Sequence, residues 1–112
     1  MHRLMSLVQE LRRRPGMFLP DARYTSLVAF IEGFALGADE VSLRGFSTWL
    51  AHRAGMDSSS LHWSVLIAGT VQPAFLECDD AIDALAPHEE VQASQELLSA
   101  LADYLATQMS ER

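Results

Sequence analysis

The segment Asp79-Asp80-Ala81-Ile82-Asp83 offers the densest set of chemically capable side chains in the chain. If helical, it would bring Asp79 or Asp80 and Asp83 onto one face, and a hard divalent cation wants such clustered oxygens. The same spacing holds magnesium in enzymes built on far longer helical barrels with a second acidic motif, neither of which fits within 112 residues. The simpler reading makes Asp79 or Asp80 a helix cap and leaves Asp83 in solvent. His2, His52, His62 and His88 are scattered, with no His-Glu-x-x-His pair and no His–Cys pair at ligand spacing. His62, beside Trp63, is expected to be half-buried and satisfied rather than catalytic. Cys78 stands alone among acids, which disfavour a thiolate nucleophile. No Gly-x-Ser-x-Gly elbow and no glycine-rich phosphate loop is present. These residues predict no catalytic dyad, no bound metal and no cofactor. The alternative is a small helical enzyme, or a metal- or ligand-binding domain, using the Asp79–Asp83 cluster with a histidine.

Charge is distributed unevenly. Residues 1–56 hold seven Arg against five acids, whereas residues 57–112 hold one Arg against ten acids, within a net charge of −7. A half this acidic repels phosphate backbones, so nucleic-acid binding is not expected. It would attract a basic protein surface and speed the encounter, although ordinary solubilising charge explains it as well. Asp79, Asp80, Asp83, Glu89 and Glu90 form the group best placed to meet a basic partner. Arg12, Arg13 and Arg14 could grip an anion, but three cations at a helix C-terminus complement its dipole.

The elements that would position these residues are helical. Leu4, Leu7, Val8 and Leu11 recur at i, i+3, i+4 and i+7, and Pro15-Gly16 ends that helix near Arg13. A second helix over about residues 25–36 has almost no polar face, so it should lie centrally, with Phe30, Ile31 and Phe34 largely buried. Gly33 in its middle costs about 1 kcal/mol relative to Ala, which a close helix crossing there would offset. Phe46, Trp49 and Leu50 mark a third helix that starts at Ser42 or Gly45 and ends at Gly55; Trp49 should be buried with them. Ser60 is a good N-cap for the next element. Residues 62–71 mix strand formers with helical spacing; helix is preferred because a lone strand has nothing to pair with. Phe75, Cys78, Ile82 and Leu85 form another stripe, and a last helix from about His88 carries Val91, Leu98, Leu101, Tyr104 or Leu105, and Met109.

The expectation is one all-α domain over 1–112, a compact bundle of five to six helices with at most one short strand pair around 62–71. The N-terminal stretch lacks a continuous apolar signal region, and no apolar run approaches the roughly 18 residues a membrane span needs. A lone cysteine and no membrane segment make a cytoplasmic location the default.

Arg14-Pro15-Gly16-Met17-Phe18-Leu19, residues 26–34 with Glu32-Gly33-Phe34, Gly45-Phe46-Ser47-Thr48-Trp49-Leu50 and Leu61-His62-Trp63-Ser64 together resemble a group of small bacterial proteins. Their pattern is roughly RPGMY/F, a helix ending in Phe/Leu-x-x-Gly-Tyr/Phe, GFxxW and a later tryptophan. After Trp63 this chain is more alanine-rich and acidic than the pattern. Some members of the group resemble immunity proteins, which neutralise secreted toxins of competing bacteria. The resemblance implies a non-enzymatic protein-binding module that neutralises a toxin, and the acidic half would suit a basic toxin domain through charge complementarity. The resemblance carries no functional residue with it and leaves homo-oligomerisation open. Arg14 to Leu19 alone also resemble a segment near the start of the ATPase chain of DNA gyrase, but this chain is too short for that fold and lacks its nucleotide loops.

Overall fold

A computed structural model describes residues 2–14, 23–38, 43–56, 62–72 and 85–110, and among them every regular element is an α-helix. The five helices are α1 (His2–Arg13), α2 (Tyr24–Ala38), α3 (Arg44–Arg53), α4 (Trp63–Val71) and α5 (Pro87–Ser110). No described helix is long and apolar enough to cross a membrane. Residues 63–71 are helix, as preferred, and no strand pair forms there. Trp63, Leu66, Ile67 and Ala68 are buried, and packing of α4 on α3 and α5 outweighs the strand propensity of Val65, Ile67 and Val71.

The helix ends follow local chemistry. α1 stops at Arg13, with Arg12 and Arg13 in its last turn. α3 begins one residue before Gly45, at Arg44, and ends in a Schellman motif. There Gly55 takes φ 82°, its N–H donates to His52 O at 3.0 Å, and Met56 N–H donates to Ala51 O at 2.8 Å. α5 opens with Pro87 in its first position, where the missing N–H removes nothing. The helix expected around Phe75, Cys78 and Ile82 lies outside the described residues, as does Ser60; Leu85 is buried.

α5 is the hub of the bundle. Its 24 residues run about 36 Å at 1.5 Å per residue, and it packs against α1, α2, α3 and α4. Ala93, Leu97, Ala100, Leu101, Tyr104 and Leu105 line the buried face. Val91, expected on that face, is 47% exposed. Leu4, Leu7, Val8 and Leu11 of α1 bury the stripe read from the sequence. In α2, Ile31 is buried as expected, while Phe30 and Phe34, like Trp49 of α3, are only partly buried against the core.

The tight helix approach falls at Gly45, not Gly33. A Cβ built on Gly45 would lie 2.6 Å from Tyr104 Oη, so α3 meets α5 where a side chain is missing. A Cβ on Gly33 would meet nothing within 4 Å, and Gly33 is exposed. Two stability measurements check this packing. Leu101→Ala, at a fully buried position of α5, should lower unfolding free energy by about 2–5 kcal/mol in a denaturant titration. Gly33→Ala should raise it by about 1 kcal/mol, because α2 gains helix propensity and meets no clash.

Candidate functional site

The densest polar arrangement among the described residues joins the start of α4 to α2. His62 is the N-cap of α4, with extended backbone geometry (φ −63°, ψ 150°), and its ring accepts from a backbone N–H in the first turn. The acceptor is Nδ1, 3.1 Å from Ser64 N, and Ser64 Oγ lies 2.7 Å from the same nitrogen. On the far side of the ring, Nε2 is 2.7 Å from Glu32 Oε1. The Trp63 indole N–H donates to that same carboxylate oxygen at 2.9 Å. Tyr24 closes the network from α2, its hydroxyl donating to Ser64 O at 2.6 Å.

These contacts assign the ring's tautomer. A carboxylate and an indole N–H leave Glu32 Oε1 only the role of acceptor, so Nε2 carries the hydrogen. Ser64 N–H is a donor only, so Nδ1 is the bare nitrogen. Both constraints select the neutral Nε2–H form, and Ser64 Oγ then donates to Nδ1.

A serine, a histidine and a glutamate in this order have the connectivity of a nucleophile, its base and an orienting carboxylate. The geometry works against that use. Ser64 is 4% exposed, so a substrate carbonyl has no approach to Oγ, and Nδ1 is shared with a backbone N–H of the helix it caps. What the network does is hold α4 to α2 and satisfy the N-terminus of α4. Among the described residues no buried side-chain nitrogen or oxygen lacks a partner. His62 keeps 45% of its side chain exposed, more than its place beside Trp63 suggests, yet both ring nitrogens are bonded. His52 and His88 are exposed.

Of the residues expected to meet a partner, Asp79, Asp80 and Asp83 lie outside the described residues. Glu89 and Glu90 are half-buried at the start of α5, each with a structural bond. Glu89 Oε1 accepts from Ala86 N at 2.9 Å, the reach-back of a capping box, and its other oxygen accepts from Gln72 Nε2 at 3.2 Å. Glu90 Oε1 accepts from Tyr24 N at 3.1 Å, tying the start of α2 to α5, and stands 3.5 Å from Arg23. Asp103 faces Arg53 at 3.5 Å, whose guanidinium lies over Trp49. Arg12, Arg13 and Arg14 are exposed, with Arg13 3.4 Å from Glu10 of its own helix. Among the described residues no three His, Cys, Asp or Glu side chains gather as a metal would need.

Sequence reasoning singled out His62 but missed Glu32 and Ser64 as its partners, and Tyr24 as the donor to Ser64 O. Glu32 is the only ionisable residue in α2 apart from Tyr24, and a lone acid on an apolar helix signals a specific partner. Nothing in its spacing names a histidine 30 residues away. Comparison with protein-family models, with curated proteins and with solved structures finds no match to this chain.

Burial pushes the Tyr24 phenol well above its ordinary value of 10.0. Below about pH 10 the phenol is neutral in both folded and unfolded chains. Above it the unfolded chain loses the proton first, so this residue's contribution falls by up to about 1.4 kcal/mol per pH unit. Tyr24→Phe should therefore cost about 1 kcal/mol at neutral pH through the lost bond to Ser64 O. The gap between the two proteins should close or reverse as unfolding is followed from pH 9 to pH 11.

Proposed function

We propose that the protein is a non-enzymatic protein-binding module, acting as an immunity-type inhibitor that covers a basic toxin domain. The observation that carries this reading is the charge asymmetry, ten acids against one Arg in residues 57–112. Steering depends on net charge rather than on whether a carboxylate is hydrogen-bonded. Glu89 is bonded to a backbone N–H and a neutral amide, neither of which offsets its charge. Glu90 and Asp103 face exposed arginines, so much of the steering field falls to Asp79, Asp80 and Asp83 with Glu89. The likeness of the Arg14–Leu19 and Leu61–Ser64 segments to small bacterial proteins, some similar to immunity proteins, supports the finer identification. The buried position of Ser64 argues against the enzymatic alternative at the one described site with suitable connectivity.

The test is to search the genes flanking this chain's own for a secreted toxin with a basic domain, and to measure binding to that domain; flanking genes without one would count against the reading. Charge reversal by Asp80→Arg with Asp83→Arg should slow association with that domain about tenfold at low salt while leaving the melting curve unchanged, and the difference should shrink as ionic strength rises. An association rate indifferent to both the substitutions and salt would remove the acidic half from recognition.

A further inference from the structure

The geometry points to His62 as a pH-responsive restraint, in which protonation of its ring uncaps α4 while keeping α4 tied to α2. In the neutral Nε2–H form the ring performs two jobs through opposite nitrogens. Nδ1 accepts the Ser64 N–H and so caps the helix, while Nε2–H donates to Glu32. When the ring takes up a proton, that proton sits on Nδ1 and turns the acceptor into a donor. Two N–H groups then face each other across 3.1 Å, and the Ser64 amide loses its partner. Ser64 Oγ, 2.7 Å away, rotates its own hydrogen aside and accepts from Nδ1–H. The Nε2–H bond to Glu32 becomes charge-assisted and strengthens the tie to α2.

The surroundings make the exchange specific. Glu32 is the charged group that meets the ring from α2, and Tyr24 meets Ser64 O from the same helix. α4 has no ionisable side chain of its own. Among the described residues the ionic contacts of α3 and α5 are made elsewhere, Arg53 with Asp103, and Glu89 bonds to Gln72 at the other end of α4. Histidine is the side chain whose charge changes in the physiological range, and 45% exposure of this one leaves it open to solvent protons.

The experiment is an NMR titration of the intact protein between pH 8 and pH 5, tracking the His62 ring nitrogens, the Ser64 amide and the Trp63 indole. At the alkaline end Nδ1 should carry the signature of an unprotonated nitrogen. As the ring titrates, protection of the Ser64 amide, corrected for intrinsic exchange, should fall about fivefold, the equivalent of one lost N-cap. Protection of the Trp63 indole, held by Glu32, should not fall. His62→Asn caps a helix without titrating, so its Ser64 amide should hold a constant protection across the range. Three results would overturn the proposal: a hydrogen on Nδ1 in the neutral form, Ser64 protection that stays flat through the ring titration, or a parallel fall at Ser64 and Trp63 that His62→Asn also shows.

Discussion

Burial of one face of α5 is the constraint on which the other helices depend. α1, α3 and α4 have 12, 10 and 9 residues, lengths at which isolated helices are marginal in water. Each rests on α5, where Leu97, Leu101 and Leu105 are fully buried. Their helicity is therefore inseparable from the apolar stripe of α5. A cavity at Leu101 would be felt through every element, whereas changes on the exposed side of α2 would stay local.

Polar contacts act at the helix ends, where orphan N–H groups must be satisfied. The start of α2 takes its acceptor from Glu90 of α5, the N-cap N–H of α5 is met by Glu89 three residues on, and α4 is capped by the His62 ring. Two of these three contacts use groups distant in sequence or join to them, since Glu90 reaches α2 and His62 also binds Glu32. Capping and tertiary assembly are thus one set of bonds. The carboxylates at the start of α5 serve the fold and still contribute charge to the acidic half.

The aromatic cluster of Phe46, Trp49, Trp63 and Tyr104 joins α3, α4 and α5, with the Phe46 ring centroid 5.7 Å from that of Trp63 and 5.2 Å from that of Tyr104. Gly45 beside it lets Tyr104 approach the backbone of α3. This explains why two tryptophans and a glycine-phenylalanine pair stand out in the sequence without any chemistry of their own: they build the junction of three helices.

Periodicity determined the α1 stripe, while Pro15-Gly16 after Arg13 and Gly55 at the end of α3 marked two helix ends, because each follows from local geometry and dihedral preference. Charge asymmetry was equally legible, being a property of composition. Tertiary structure supplied the burial on α5 and α3 that outweighs the mixed local preference of residues 63–71, a helix the sequence favoured only because a lone strand has nothing to pair with. It alone placed the close crossing at Gly45 rather than Gly33, because both glycines look alike until a neighbouring helix is present. It alone paired Glu32 with His62, for a hydrogen bond across 30 residues depends on how two helices are oriented, and no local spacing encodes that angle.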